Sequence, residues 1–189
     1  MNGTLSQLLD KLSPDNDIRG KQFEPICKWF LETDLAYRSQ LKRVWLWDDW
    51  PGRWGPDAGI DLVAETHAGD SWAIQAKCYK PEESVTKDDM NTFLSESARA
   101  VFSYRLLIAT TNRIGVTARR TVEAQEKPVG LLMRSDLDKA KVKWPTSPTT
   151  LRGAVPKPKK PRPHQRQAMK AVIGGFVEGD RGQLIMACG

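Results

Sequence analysis

The sequence predicts a mixed α/β domain, a central β-sheet flanked by helices, with a Pro/Lys-rich linker and the helix-strand beginning of a second unit behind it. Three observations predict this. Apolar runs of strand length alternate with stretches of helical spacing. The composition is ordinarily globular, 40% hydrophobic and 28% charged. From residue 145 onward it changes to Pro, Lys, Arg, Ser and Thr with little to bury. A chain of 189 residues accommodates one well-buried domain and a fragment of another.

Within residues 17–33, Phe23, Ile26, Cys27, Phe30 and Leu31 recur at i, i+3, i+4, i+7 and i+8, the stripe of an amphipathic helix, with Asp17 expected as its N-cap. Val44, Trp45, Leu46 and Trp47 read as a strand, and residues 48–59, with three Gly and two Pro, as a loop. Residues 60–65 and 71–77 form two short strands about the polar turn His67-Ala68-Gly69-Asp70, a hairpin pattern. Helices are expected over 86–101, packing through Val85, Met90, Phe93, Leu94 and Val101, and over 116–126. The runs 106–109 and 130–133 supply further strands, one or both buried on both faces. The order is α-β-β-β-α-β-α-β.

Net charge is +6, but residues 1–144 hold 21 basic and 21 acidic side chains while 145–189 hold 8 and 2. The front domain is therefore neutral, and any DNA binding by it must use a local groove and a metal site rather than a global field. Cys27, Cys78 and Cys188 are isolated, with only His67 and His164 as imidazole partners, which argues against structural zinc. No membrane-length apolar run or signal pattern occurs, so a soluble protein of a reducing cytoplasm is expected.

Chemistry concentrates in Gly59-Ile60-Asp61 and Gln75-Ala76-Lys77. Strand alternation puts Gln75 and Lys77 on one face, and a hairpin brings Asp61 beside them. A carboxylate holds a hard divalent ion, a glutamine oxygen and the Ala76 carbonyl are further candidate donors, and a lysine offsets charge developing in phosphodiester hydrolysis. Trp45, Trp47, Trp50 and Trp54 could stack on bases, but aromatic residues enter cores first.

These residues resemble the Mrr-like branch of the PD-(D/E)xK nucleases, whose motif reads G-I-D followed by Q-x-K. The family's helix glutamate, in a G-x-x-F-E context, is matched by Gly20-Lys21-Gln22-Phe23-Glu24, and Ala109-Thr110-Thr111-Asn112 is similar to its fourth-strand ending. The resemblance spans residues 18–133. It implies Asp61 as principal metal ligand, Gln75 in place of the usual acidic ligand, Lys77 as catalytic lysine, Glu24 as a direct or water-mediated ligand, and Mg2+ or Mn2+ as the metal. The Pro of the family name is absent before Asp61; a Pro56-Asp57 pair stands nearby in the loop, so Asp61, at the start of the apolar strand, is the expected ligand.

After the tether, Arg162-Pro163-His164-Gln165, an amphipathic helix carrying Met169, Val172, Ile173 and Phe176, and the apolar run 183–186 resemble the opening of superfamily 2 helicases. That resemblance implies Gln165 as an adenine reader in the full-length protein. The Lys and Ser/Thr of a phosphate loop are not reached by residue 189, so no ATPase activity is expected of these residues alone. The layout is nuclease domain 1–144, linker 145–162 and motor start 163–189, as in single-chain type I-like (type ISP) restriction-modification enzymes. It implies duplex DNA as substrate, a C-terminal motor, methyltransferase and target-recognition domains, transient pairing of two nuclease domains for double-strand breaks, and no membrane. Two other readings stay open: a non-catalytic DNA-binding or docking module, and a modification-dependent or junction-resolving nuclease.

Overall fold

In a computed structural model of the chain, the structure describes residues 3–56, 59–151, 161–179 and 181. Two compact units divide at Val155–Pro156. The first begins with helix α1 (Leu5–Leu9), absent from the sequence expectation because it is barely more than a turn long. Leu5, Leu8, Leu9 and Leu12 all bury, and Thr4 and Gln7 cap each other's backbone amides.

Helix α2 (Asn16–Thr33) carries the expected apolar stripe: Phe23, Ile26, Cys27, Phe30 and Leu31 are no more than 2% exposed. Its N-cap is Asp15, not Asp17. The Asp15 carboxylate accepts the amides of Asp17 and Ile18, which puts Asp17 in the first turn, where a negative charge suits the helix dipole. A short α3 (Leu35–Arg38) leads into β1 (Leu41–Leu46), and the expected strand residue Trp47 belongs to a 3-10 turn (Trp47–Asp49).

The hairpin forms as expected. Strands β2 (Leu62–Thr66) and β3 (Ser71–Lys77) pair antiparallel, with Leu62 opposite Ile74 and Glu65 opposite Ser71. Gly69 takes the positive φ, +94°, that the turn requires. Asp61 lies one residue before β2, yet its amide donates to Ile74 O and its carbonyl accepts from Trp47, so it is pinned to β3 and to the 3-10 turn after β1.

Beyond a small parallel ladder of β4 (Ser84–Val85) and β6 (Arg113–Ile114), α4 (Lys87–Glu96) and β5 (Phe102–Ala109) follow, then α5 (Val116–Glu123), β7 (Val129–Leu132) and α6 (Arg134–Lys139). Helices α4 and α5 both stop short of their expected ends. Val101 lies beyond α4 and is 48% exposed, so it packs no face; Val85, Met90, Phe93 and Leu94 do. The central sheet runs β1-β2-β3-β5-β7, antiparallel through β3 and parallel thereafter. This is a mixed sheet with helices on both faces, as expected.

Alternation along β2, β3 and β5 feeds two cores. Leu62, Ile74, Ala76 and Ile108 meet α1 and α2, while Val63, Ala73, Leu107 and Ala109 meet α4. Strand β5 is buried on both faces from Leu106 to Ala109; β7 is not, being half-buried over its first three residues. Trp47 and Trp50 bury in the second core, with Trp54 packed against them.

Residues 145–151, grouped with the linker by composition, are in part held to the first unit. Trp144 stacks on Phe30 at 5.5 Å and 11° and bridges to Gly3, Lys11 donates to Thr146 O, Pro145 is buried, and Leu151 packs on the first core. Residues 152–160 and the run 183–186 lie outside the described residues. In the second unit, helix α7 (Pro163–Glu178) starts with Pro163, and Gln165 accepts the Arg162 amide at 2.9 Å, so its side chain caps the helix. Met169, Ile173 and Phe176 are exposed.

Candidate active site

Asp61, Gln75 and Lys77 come together at the sheet end where β2 starts and β3 finishes. The Asp61 carboxylate accepts the Ala76 amide at 2.7 Å, which ties it to the residue between Gln75 and Lys77. Gln75 and Lys77 share the sheet face covered by α4, as alternation requires. Gln75 is 4% exposed; its amide nitrogen donates to Gly59 O at 3.2 Å, and its buried Oε1 has no hydrogen-bond partner. That donor fixes which amide atom is which, because the reverse orientation would set two carbonyl oxygens against each other.

Gly59 is the glycine this arrangement requires. Its φ is +60°, and a Cβ there would sit 2.8 Å from the Thr92 methyl and 3.3 Å from the Phe93 nitrogen on α4. Only a residue without a side chain lets the loop approach α4 while offering its carbonyl to Gln75.

Glu24 reaches the site from the opposite face, on α2. It is half-buried and forms an ion pair with Lys21 at 3.0 Å. Burial, and then the charge of Asp61, pushes its carboxyl up to about 7 despite Lys21. The helix glutamate is thus close enough to Asp61 for the aspartate's charge to act on it. Asp48, in the 3-10 turn, adds a weaker negative field and is itself paired with Arg53 at 2.8 Å.

Lys77 turns toward α4. Its Nζ lies 3.9 Å from Asp89 Oδ1. Asp89, Lys21 and Asp48 escaped sequence reasoning, since each lies in a segment whose composition reads as an ordinary polar helix or loop. Asp89 alone left a trace, a Thr86-x-x-Asp89 spacing that caps α4. The alternative aspartate, Asp57, lies outside the described residues. A surface depression of about 530 Å³ beside α2, lined in part by Ile18, Lys21, Pro25 and Pro148, takes in none of Glu24, Asp61, Gln75 or Lys77.

Among the described residues no group of three His, Cys, Asp or Glu is placed to hold a metal. The candidate set here is two carboxylates and an amide, Asp61, Glu24 and Gln75. An all-oxygen set of this kind suits a hard divalent cation, and the unsatisfied, buried Gln75 Oε1 is the atom most in need of such a partner. No described helix is long and apolar enough to cross a membrane.

Comparison with known proteins places these observations in a family. The Mrr_cat_2 restriction endonuclease family model matches residues 32–151, most of the chain, though its span starts after Glu24. No curated protein matches. Among solved structures, the chain is similar to the ATP-dependent type ISP restriction-modification enzyme LlaBIII bound to DNA, at 33% identity and a TM-score of 0.61 over 87% of this chain and 11% of that one. It also matches MspJI restriction endonuclease in complex with a 27-mer oligonucleotide (21% identity, TM-score 0.49, 65% of this chain, 27% of that one). A third match is the DNA modification-dependent restriction endonuclease AspBHI (18%, 0.43, 72% and 37%). The chain thus spans only a small part of each.

Proposed function

We propose that this chain, which belongs to the restriction endonuclease family, carries the Mg2+-dependent DNA endonuclease domain of an ATP-driven, translocating restriction-modification enzyme. The observation that carries the proposal is the Asp61 carboxylate, held at 2.7 Å by the Ala76 amide between Lys77 and Gln75, whose buried Oε1 has no hydrogen-bond partner. In this reading Asp61, Glu24 and Gln75 Oε1 hold a divalent ion, Mg2+ or Mn2+. A metal bound there polarises the phosphoryl oxygen and acidifies a water. The Lys77 ammonium orients the nucleophile and offsets charge as the phosphodiester bond breaks, while the Ala76 amide keeps the Asp61 carboxylate in place.

The substrate is duplex DNA, read with little sequence preference by this neutral domain. One such site cuts one strand, so a double-strand break takes two nuclease domains paired transiently or two successive events. The likeness to LlaBIII over 11% of its length supports a larger protein in which ATP fuels a motor and further domains methylate and recognise the target. In that setting residues 1–144 form the nuclease, with residues 145–151 as its packed margin, the rest of the linker runs to 162, and 163–189 open the motor, Gln165 reading adenine.

Incubation of the purified chain with supercoiled plasmid and Mg2+ or Mn2+ tests this. Nicked circles are expected from wild type, and none from Asp61→Ala, Lys77→Ala or an EDTA control, with folding unchanged by circular dichroism. Cleavage by both variants at the wild-type rate would refute the site. A second reading, favoured by the neutral Gln75 where an acidic ligand is usual, is a DNA-docking module without catalysis. It retains DNA affinity in EDTA and yields no product at any metal concentration.

A further inference from the structure

Lys77 ends a strand, and an ammonium on a four-carbon stem has wide freedom there unless something restrains it. What faces it is Asp89 on α4, at 3.9 Å, and both side chains are about a quarter exposed. Asp89 is itself fixed. Its Oδ2 accepts from the Thr86 amide at 2.8 Å and the Thr86 hydroxyl at 2.6 Å, and the Tyr79 phenol lies close enough to help hold the carboxyl down. These contacts, with Lys77, outweigh burial and hold the Asp89 carboxyl below its ordinary range, so it is ionised. Burial, and then the same carboxylate, push the half-buried Tyr79 phenol up, so the tyrosine stays a donor.

Tyr79 is positioned in turn from β5. Thr110 donates its hydroxyl to Tyr79 O at 2.7 Å, and its amide donates to Lys77 O at 3.0 Å; Thr111 donates to Glu83 O at 2.7 Å. Both threonines are 1% exposed. Two buried hydroxyls therefore fasten the segment after β3 to the end of β5, and a chain of contacts runs from Thr110 through Tyr79 and Asp89 to the Lys77 ammonium.

We infer that Asp89 is a positioning residue for Lys77: a fixed carboxylate, braced by Thr86 and Tyr79, that orients the ammonium toward the reacting phosphate. This rests on Lys77 acting in phosphodiester cleavage. A carboxylate used only to cap α4 needs its oxygens for Thr86, and asparagine supplies an acceptor for that purpose equally well. The charge facing Lys77 is what the cap does not require.

Asp89→Asn isolates that charge, and Asp89→Glu returns it one methylene further out. Steady-state cleavage of a plasmid by the whole chain with Mg2+ is compared with thermal melting of each variant. For Asp89→Asn, kcat is expected to fall roughly 10- to 100-fold, the range for losing a group that orients a reacting one. KM should stay within about twofold and the melting temperature near wild type, and Asp89→Glu should recover much of the lost kcat. Unchanged kcat in Asp89→Asn, or a fall in kcat that only tracks a lower melting temperature and is not rescued by Asp89→Glu, overturns the assignment. Failure of the underlying reading looks different: wild type then gives no metal-dependent product, or Lys77→Ala cleaves like wild type.

Discussion

At Glu24, burial and the nearby Asp61 charge raise the carboxyl to about 7 from 4.5. The folded chain therefore keeps a proton that the unfolded chain loses. The stabilisation this provides is complete below about 4.5, declines as pH rises, and is gone above about 7. In EDTA, the stability of Glu24→Gln minus that of wild type should grow between those limits, read from urea midpoints at pH 5 and 8; a difference independent of pH would contradict it. If the proposed set holds a divalent ion, that ion offsets the penalty, and at pH 8 Mg2+ should raise the wild-type melting temperature and leave Asp61→Ala unmoved. Gln75→Glu probes the neighbouring position. It puts a third carboxylate at a 4% exposed site, which should lower the metal-free melting temperature by several degrees and reduce the Mg2+ needed for cleavage.

Elements deliver these residues through their ends and loops. Strand β3 sets Gln75 and Lys77 on the α4 side, α2 carries Glu24 on the other side, and Asp61 precedes β2, tied to Ala76 of β3. The loop before Asp61 closes on α4 at Gly59, whose φ of +60° and 2.8 Å approach to Thr92 admit no side chain. Gly59→Ala should cost about 1–3 kcal/mol from backbone strain at that site and slow cleavage by shifting the carbonyl that anchors Gln75, measured by denaturant melts beside plasmid nicking. Helix α2 depends on its first turn. Asp15→Ala removes the acceptor of two amides and should cost about 1 kcal/mol, whereas Asp17→Ala should cost less because Asp17 caps nothing.

At the scale of the molecule, both cores and every candidate catalytic residue belong to the unit that ends at Val155. A chain ending at residue 155 should melt within about 2 °C of the full sequence. Trp144→Ala should instead cost about 3–5 kcal/mol, the usual range for emptying a buried tryptophan site, since Trp144 stacks on Phe30 and lies 5.5 Å from Trp29. Equal melting of that variant and wild type would show that residues 144–151 are a passive margin. In the second unit, Met169, Ile173 and Phe176 lie on an exposed face of α7.

Periodicity and punctuation determined the order of the main helices and of the five strands of the central sheet, though not the short α1, α3, β4, β6 and α6, as well as the hairpin, the two-sided burial of β5 and the shared face of Gln75 and Lys77, because each follows from a repeat of 2.0 or 3.6 residues written locally in the chain. The G-I-D and Q-x-K spacing singled out the same residues that the hairpin sets side by side. Local signals were less reliable at element ends: Asp15 and Asp17 are both plausible caps, and Val101 continues an apolar pattern that α4 does not follow. The tertiary structure alone decided what meets across distance. It set Asp61 close enough to Glu24 for its charge to act there, left Gln75 Oε1 without a partner, set Asp89 opposite Lys77, and held part of residues 145–151 to the first core despite their linker-like composition. These depend on the packing of helices against opposite faces of one sheet, and no local stretch of sequence encodes that distance.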